Sequence, residues 1–351
     1  MRKVFFIVSS LGAGGSERVY WLLSKYFANK DYDVYVLFLT NQEQCFSTDI
    51  PGITFIDLGT TRASRSFFKL LKVLRDAKPF AVFSTTDHIN ILIAIVSFFI
   101  TVPQLLARVS NNPRQMKAFY GLKARLYNRL APLLLHRYDT IICQTDEMRQ
   151  VALKVYRLPA AKLKVIPNPV DDPSDIDSDI NMPVNYKMIT VGRLRPEKGL
   201  FRLLEIIRML PENYSLSIAG DGPLMEPLVE YVTGHNLNNR VAFLGQVTNV
   251  THLIRSHQLL VATSFTEGFP NAVLEALAAG TPVVTFTVGG VDEMIRPGFN
   301  GYLVEQGNLP ALKDAIITAC SRTWNHKAIQ ADVLNRFSLA RIGRMYEDLL
   351  I

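Results

Sequence analysis

Cysteine is scarce in this sequence, and what is present lacks the spacing of a metal site. The chain has 351 residues and three cysteines, Cys45, Cys143 and Cys320. An odd number of scattered cysteines excludes a disulfide framework and indicates a reduced compartment. We also expect no signal peptide, because Met1–Lys3 lead directly into the apolar run Val4–Val8, which is too short for the hydrophobic region of such a peptide. We therefore expect a cytoplasmic protein.

Long hydrophobic runs are missing as well. The apolar stretch Ile89–Ile100 is shorter than the roughly 20 residues that cross a bilayer. It predicts a buried helix.

Acidic residues are absent from His88 to Tyr138, where seven basic residues occur. The chain before Asp171 has 23 Lys and Arg against 11 Asp and Glu, whereas the remainder has 15 against 20. Such a basic half suits nucleic acid or an anionic membrane. No zinc spacing, aromatic RNA-binding motif or recognition helix is visible, so we expect no nucleic acid and favour the membrane.

The segment Arg114–Arg137 intersperses basic residues with Phe, Tyr and Leu. This pattern is typical of an amphipathic surface on anionic lipid, and it predicts a peripheral position on the inner face of the cytoplasmic membrane. The alternative is an ordinary solvated helix that covers the N-terminal core.

Short apolar runs alternate with helical patterns in both halves of the chain, which predicts parallel α/β sheets. The length is sufficient for two domains. We predict an N-terminal Rossmann-like domain at 1–170, a linker rich in Pro and Asp at 171–186, a C-terminal Rossmann-like domain at 187–335, and a helix at 336–351 that packs back on the N-terminal domain. The predicted strands are Val4–Val8, Val34–Leu39, Ile53–Ile56, Phe80–Phe83, Leu105–Val109, Thr140–Cys143, Met188–Val191, Ser215–Ile218, Val241–Leu244, Leu259–Ala262 and Val283–Phe286.

The segment Thr266–Pro282 predicts a tight acidic turn and a helix between two buried strands. Pro270 suits the first helical position, and Gly280 suits the left-handed position after the helix. The free N–H groups of the first helical turn suit an anion. Glu267, in the turn, can accept hydrogen bonds from sugar hydroxyls, and Glu275, on the helix, can reach a second polyol. The alternative is that Glu267 caps the helix and Glu275 is simply solvated.

A second turn, Val191–Gly199, follows a predicted strand. Gly192 allows a ligand to approach the backbone, and Arg193 and Lys198 together suit a diphosphate. The alternative is two solvated basic side chains. Gly220–Pro223 is typical of a tight strand-to-helix turn.

Two other patterns are set aside. Gly12–Glu17 lacks the third glycine of a dinucleotide fingerprint, and the second strand ends in Leu-Thr-Asn without the acidic residue that would hold a ribose. A hydride-transfer enzyme is therefore disfavoured. The acidic run Asp175–Asp179 lies in the linker, and we expect no essential metal.

The motifs Gly192-Arg-Leu…Glu197-Lys-Gly, Gly220-Asp-Gly, Phe243-Leu-Gly and Glu267-Gly-Phe-Pro…Glu275 resemble glycosyltransferase family 4. Gly14-Gly-Ser-Glu17 is similar to the N-terminal glycine turn of that family. The resemblance implies the GT-B fold, in which the parallel sheets of two Rossmann-like domains face a central cleft.

The resemblance also implies roles for particular residues. Arg193 and Lys198 would bind the nucleotide diphosphate, Glu267 the donor sugar and Glu275 the ribose. The remaining implied contacts to the donor are made by Gly14, Gly15, Gly192, Gly245, Gly268, Phe269, Pro270, Asn271 and Ala272. Of these, Gly15 would let the N-terminal loop close over the phosphates, and Gly245 would lie near the nucleobase. No separate cofactor is implied, because the nucleotide-sugar is itself the donor substrate.

One departure from the family concerns a histidine that many members carry after the fifth N-terminal strand. Here the segment is Arg108–Pro113, in which Ser110, Asn111 and Asn112 can donate hydrogen bonds but not titrate. His88 is the nearest substitute. Retaining transfer in this fold is thought to let the leaving phosphate accept the proton, so the departure is chemically tolerable.

These observations predict a retaining glycosyltransferase that moves a hexose or N-acetylhexosamine from a UDP-sugar to a lipid-linked glycan in surface polysaccharide or oligosaccharide synthesis. A non-hydrolysing sugar-nucleotide epimerase is one alternative. A catalytically idle partner subunit that binds a nucleotide-sugar is another.

Overall fold

The computed structural model describes residues 1–12, 14–41, 44–110, 131–173 and 186–351. The chain divides into two compact units. Unit 1 comprises Met1–Pro169 together with Leu339–Ile351, and unit 2 comprises Val170–Ser338.

The described residues of unit 1 form a seven-stranded parallel sheet in the order β3-β2-β1-β4-β5-β6-β7. The strands are β1 Arg2–Ser10, β2 Tyr32–Thr40, β3 Ile53–Asp57, β4 Ala81–Thr85, β5 Gln104–Val109, β6 Thr140–Cys143 and β7 Leu163–Val165. The helices that connect them include α1 Gly15–Ala28, α2 Ala63–Ala77, α3 Asp87–Val96 and α4 Asp146–Tyr156.

Strand β1 shows why this sheet is covered on both faces. Phe5 and Ile7 pack into one apolar cluster with residues of α2 and α3. Val4, Phe6 and Val8 point the other way, into a second cluster with residues of α1. Both sets are buried, as the period of two in a fully covered parallel strand requires.

Unit 2 contains a six-stranded parallel sheet in the order β10-β9-β8-β11-β12-β13. Its strands are β8 Lys187–Val191, β9 Ser215–Ala219, β10 Val241–Gly245, β11 Leu259–Ala262, β12 Val283–Phe286 and β13 Gly301–Val304. Its helices are α5 Leu200–Met209, α6 Met225–Gly234, α7 Val250–Arg255, α8 Asn271–Ala278, α9 Val291–Met294, α10 Leu309–Ser321 and α11 His326–Phe337. One apolar cluster fills this unit.

The chain returns to unit 1 after residue 338. Helix α12, Leu339–Glu347, packs on α1. Tyr346 and Ile342 enter the apolar cluster of α1, and the Tyr26 hydroxyl donates a 2.9 Å hydrogen bond to Glu347 Oε2. Because Gly343 has no side chain, its backbone lies directly against the Tyr26 ring, where a Cβ atom would overlap Cγ and Cδ2.

The parallel α/β architecture predicted from the sequence is confirmed, with two Rossmann-like sheets. The sequence pattern missed two strands, β7 and β13, which are short and lie at sheet edges. Pro270 is not the first helical residue: its ψ of 110° is extended, so it caps the helix that begins at Asn271. Gly280 takes the expected left-handed conformation, with φ of 80°.

The stretch Ile89–Ile100 is only partly a buried helix. Helix α3 ends at Val96, and Phe98 and Phe99 in the following turn are exposed. In the described part of the chain, no helix has the length and apolar character needed to span a membrane. Most of the basic stretch 114–137 and of the predicted linker lies outside the described residues, as do Asn111, Asn112 and Asp175–Asp179.

Candidate active site

The candidate donor site of unit 2 lies where strand order reverses. Strands β8 and β11 are neighbours, but the chain leaves β8 towards β9 on one side and β11 towards β12 on the other. The turns after the two strands diverge, and ligands of open α/β sheets bind at such a switch point. The segments 192–199 and 263–271, which carry most of the predicted site residues, are these two turns.

The turn after β8 packs directly against the turn after β9. Gly192 N donates to Ala219 O at 3.0 Å, and Gly220 N donates to Gly245 O at 2.7 Å. Gly220 has φ of 142°, and a Cβ there would overlap the carbonyl of Gly192. The glycines therefore bring three strand ends together with their backbones close. Gly245, with φ of 62°, has no atom within 4 Å of where its Cβ would lie, so this point of the backbone is open to a ligand.

Lys198 and Glu267 bring the two diverging turns into contact. Lys198 Nζ donates to Glu267 Oε1 at 2.6 Å, and Ser264 Oγ donates to the same oxygen, also at 2.6 Å. Both charged side chains are partly buried, with 29% and 15% of their surfaces exposed. Partial burial and the second donor fix the position of this carboxylate. Within the described residues its other oxygen, Oε2, has no hydrogen-bond partner, so it can accept a hydrogen bond from a ligand.

Arg193 lies in the same turn as Lys198 and is half-buried. Among the residues that the structure describes, no carboxylate pairs with its guanidinium. A cation without an acidic partner at the end of β8 raises the local positive potential, which favours an anionic ligand.

Two glycines that follow β12, Gly289 and Gly290, pack against the turn that carries Glu267. Gly290 N donates to Gly268 O at 3.1 Å, and a Cβ on Gly289 would lie 2.5 Å from Glu267 O. Phe269 is buried, with its ring against that of Phe337. The backbone at Gly268 and Phe269 is therefore fixed before helix α8 begins.

Helix α8 starts immediately after this turn. Leu274 N donates to Pro270 O, so the N–H groups of Asn271, Ala272 and Val273 precede the first intrahelical bond of the helix. Glu275 is only 7% exposed and lies one helical turn beyond Asn271. The first turn of α8 thus presents N–H groups next to the fixed Glu267.

Arg202 is a part of this site that the sequence did not reveal. Its guanidinium donates to Thr263 O and, at 2.7 Å, to Gln306 Oε1. Gln306 Nε2 in turn donates to Ser264 O at 3.1 Å. Arg202 therefore fixes the residues immediately before Glu267, although it lies on α5. Burial lowers the pKa of Arg202 from its ordinary value.

The two segments are joined by further bonds between backbone and side chain. Phe265 N donates to Glu197 O at 2.8 Å, and Thr263 Oγ1 donates to Gly199 O at 3.0 Å. A Cβ on Gly199 would overlap the Thr263 carbonyl. The approach of the turns depends on that glycine.

The glycine turn of unit 1 also lies at a reversal of strand order, between β1 and β4. Gly14 caps helix α1 and Gly15 is its first residue. Ser16 Oγ, in the first turn, donates to Ser110 Oγ at 2.8 Å. The helix therefore begins beside the carboxyl end of β5.

Arg108 is a second residue that sequence patterns missed. It is 1% exposed and donates to the hydroxyls of Ser16, Thr85 and Ser110 and to the amide oxygen of Asn168. All of these acceptors are neutral, and among the described residues no acidic group forms an ion pair with it. A buried cation with neutral acceptors adds positive potential to the N-terminus of α1.

His88 lies at the surface near the same turn. Its Nε2 is 2.9 Å from Ser9 Oγ, and partial desolvation of the ring lowers its pKa, which favours the neutral imidazole. The structure places His88 after β4, at the same reversal of strand order as Gly14.

No group of three or more His, Cys, Asp or Glu side chains suitable for a metal ion occurs in the described ranges. The candidate sites hold a different kind of chemistry: cations, hydroxyls and helix N-termini that suit an anion, and a fixed carboxylate that suits hydroxyl groups.

Comparison with known proteins decides the family. A model of glycosyltransferase family 4 matches residues 13–173, and a model of group 1 glycosyl transferases matches residues 178–330. The chain belongs to glycosyltransferase family 4. The two models meet within the segment that separates the two sheets, so that each describes one Rossmann-like domain.

Two relatives of this family-4 chain and one solved structure are informative. A Campylobacter jejuni protein named as a GalNAc-GalNAc-diNAcBac-PP-undecaprenol α-1,4-N-acetyl-D-galactosaminyltransferase is 28% identical, covering 87% of this chain and 85% of its own. An Escherichia coli protein named as a UDP-Gal:GlcNAc-diphosphoundecaprenol α-1,3-galactosyltransferase is 25% identical, covering 82% and 79%. The Anabaena protein HepE, solved with UDP-glucose, has a TM-score of 0.81 at 20% identity and covers 100% and 99% of the two chains. That likeness shows the shared fold.

Proposed function

We propose that this family-4 protein is a retaining glycosyltransferase that moves a hexose or N-acetylhexosamine from a UDP-sugar to a lipid-linked glycan in surface polysaccharide or oligosaccharide synthesis. The observation that carries the proposal is the contact of Lys198 with Glu267 between the turns after β8 and β11. This contact supports the proposal, because it brings a cation that suits phosphate next to a carboxylate that suits sugar hydroxyls.

The geometry supports a division of roles. Lys198 and the half-buried Arg193 neutralise the diphosphate, and the N–H groups at the start of α8 add their dipoles. Glu267, held by Lys198 and Ser264, accepts hydrogen bonds from the sugar through its other oxygen. Glu275 binds the ribose hydroxyls, and the open backbone at Gly245 lies near the nucleobase.

In the transfer step, the bond between the anomeric carbon and the phosphate oxygen breaks. The new bond to the acceptor oxygen forms on the same face of the sugar, and the leaving phosphate takes the acceptor's proton. The chain then needs no protonatable imidazole in the segment that begins at Arg108. His88 orients a substrate hydroxyl in this proposal rather than acting as a strong base.

The names of two relatives support the choice of substrates. Both the Campylobacter jejuni and the Escherichia coli proteins are named for acceptors linked to undecaprenol through a diphosphate, and the second is named for UDP-galactose. An acceptor held in a bilayer requires the enzyme to work at the membrane surface. We propose a peripheral position on the inner face of the cytoplasmic membrane and metal-independent transfer.

The test begins with saturation-transfer NMR of the purified protein against UDP-, GDP- and ADP-sugars, with and without a chelator. We expect selective binding of one UDP-sugar that survives the chelator. Binding of none of them, or binding that the chelator abolishes, would contradict the donor assignment.

The second stage supplies an undecaprenyl-diphosphate-linked glycan and determines the anomeric configuration of the product by NMR. An α-linked product from an α-linked donor supports retention, and an inverted product contradicts it. Donor binding without transfer to any lipid-linked glycan would favour an idle binding subunit. Release of an epimerised sugar without an acceptor would favour an epimerase.

A further inference from the structure

Unit 1 exposes a cluster of aromatic rings that its core does not use. Phe68, Phe98 and Phe99 are 79%, 61% and 58% exposed. The Phe67 ring makes edge contacts with Phe68 and Phe99, with centroids 5.1 and 5.6 Å apart. We call Phe67, Phe68, Phe98 and Phe99 the α2–α3 aromatic patch. Contiguous exposed apolar surface of this kind marks a binding face for a protein or a membrane.

The fold presents the patch through two elements. Helix α2 buries Ser66, Leu70 and Leu74, which leaves Phe68 on the opposite face. The turn after α3 carries Phe98 and Phe99, and α2 packs against α3. The rings therefore come from segments about 30 residues apart and meet at one surface.

Cations share this surface. Arg65, Lys72 and Arg75 are exposed and lie three, four and seven residues from Phe68, so they occupy the same face of α2. The Arg137 guanidinium lies 4.7 Å from the Phe98 centroid and donates to Ser97 O at 2.9 Å. Rings next to these cations form a surface that is both apolar and positive.

The positive charge next to the α2–α3 aromatic patch decides which partner this surface fits. A second copy of this chain, packed patch to patch, would bring the same cations opposite one another. An anionic bilayer instead offers phosphates to the cations, while its headgroup region takes aromatic rings, which are enriched there in membrane proteins. Along α2 the exposed face carries Asp76 as its single acidic neighbour, so repulsion from the bilayer is small.

We propose that the α2–α3 aromatic patch docks on an anionic lipid bilayer. The rings of Phe68, Phe98 and Phe99 enter the boundary between headgroups and acyl chains, and Arg65, Lys72 and Arg75 contact lipid phosphates. This deepens the proposed function, since a lipid-linked acceptor would be presented at that bilayer, but its evidence is independent of the donor site.

The experiment is flotation of the full chain with vesicles of phosphatidylcholine alone and of phosphatidylcholine with 30% phosphatidylglycerol. The variants are Phe68→Ser/Phe99→Ser for the rings and Arg65→Gln/Lys72→Gln/Arg75→Gln for the cations. Phe299→Ser in unit 2, also an exposed aromatic residue, is the matched control. Circular dichroism and thermal melts check that each variant is folded.

We expect the unsubstituted chain and Phe299→Ser to float with anionic vesicles and not with neutral ones. Each patch variant should lose at least about tenfold in partitioning, and added salt should weaken binding because the phosphate contacts are screened. No flotation of the unsubstituted chain overturns the proposal, as does equal flotation of the patch variants. Light scattering that shows a dimer abolished by the patch variants would assign the surface to a second copy instead.

A parallel assay separates this proposal from the proposed function. Donor binding by NMR in solution should be equal in the patch variants and the unsubstituted chain. Loss of flotation in a chain that binds no nucleotide-sugar would support the docking surface and reject the donor site. Selective donor binding together with flotation that does not depend on the patch would support the donor site and reject the docking surface.

Discussion

The guanidinium of Arg202 lies 3.7 Å from the centre of the Phe265 ring. Phe265 stands two residues before Glu267, and Arg202 also bonds the carbonyl of Thr263. A side chain on helix α5 thus determines the path of the turn that carries Glu267, the carboxylate proposed to bind the donor sugar. We expect any effect of Arg202 on a bound donor to pass through the position of Glu267.

Arg202→Lys should reduce kcat/KM by about tenfold or more, because lysine keeps the charge but cannot form the planar fork with Thr263 and Gln306. Arg208→Lys is the matched control, since Arg208 is exposed on the same helix and pairs with Glu205. Transfer kinetics and urea unfolding measure both variants. If Arg202→Lys has the same kcat/KM as the unsubstituted protein, Arg202 does not position Glu267.

Removing either proposed phosphate ligand should cost far more turnover than stability. Arg193→Ala and Lys198→Ala should each lower kcat by about 100-fold, because they remove a charge aimed at the leaving diphosphate. Arg195→Ala, an exposed arginine of the same turn, should leave kcat unchanged. Steady-state transfer assays provide the measurement, and near-normal turnover of both variants would contradict the assignment.

Glu275→Gln tests the ribose contact. A contact made equally in the bound donor and in the transition state affects binding rather than the chemical step. We expect the dissociation constant of UDP to rise by about tenfold, or 1.4 kcal/mol, with kcat little changed. Calorimetric titration with UDP measures it, and Glu230→Gln, exposed on α6, is the control. A fall in kcat at unchanged UDP affinity would place Glu275 in the chemistry instead.

His257 should make unit 2 sensitive to acid. The ring is 5% exposed, with Nε2 2.8 Å from Ser217 Oγ, and its burial lowers its pKa. A histidine with a lowered folded pKa contributes stability that is complete above the unfolded value of about 6.5 and is lost as the pH falls through the folded value. The urea midpoint should therefore drop between pH 7.5 and pH 5.

His257→Gln should flatten that dependence, and His252→Gln, with an exposed side chain on α7, should not. Urea unfolding followed by circular dichroism at several pH values makes the comparison. An equal slope in all three proteins would show that other groups govern the response to acid.

Two glycine substitutions separate close packing from helix propensity. Gly343→Ala should destabilise the protein by about 1–3 kcal/mol, because its Cβ would overlap the Tyr26 ring. Gly234→Ala, at the end of α6 with no atom within 4 Å of the added carbon, should be neutral or stabilise by up to about 1 kcal/mol. Urea midpoints of the two variants should move apart, and a shared direction would contradict the packing argument.

Local patterns were sufficient for much of this molecule. The strands with several β-branched or aromatic residues, such as β1 and β2, were found from their apolar runs, and the family motifs led to Lys198, Glu267 and the strand ends that carry them. Strands β7 and β13 were missed because they have three and four residues at sheet edges, too few to establish a period of two.

Arg202 and Arg108 were missed for a different reason. Each acts through partners far away in the chain: Arg202 and Gln306 are separated by 104 residues, and Arg108 and Ser16 by 92. No spacing in the sequence signals such contacts. The one local sign of an unusual environment is the position of Arg108 itself. It lies next to the end of the buried strand β5, where a charged residue is uncommon.

The return of the chain to unit 1 also constrains how the protein is made. Helix α1 needs α12 to cover Val19, Tyr20 and Phe27, and the hydrogen bond between Tyr26 and Glu347 spans 321 residues. On the ribosome, unit 2 can close before unit 1 does, because the helix that completes unit 1 is translated only after the strands of the second sheet. Until then one apolar side of α1 stays open to water, where chaperones and proteases can reach it. A nascent chain stalled near residue 338 should accordingly be cut by a limiting protease within its first unit while its second unit resists.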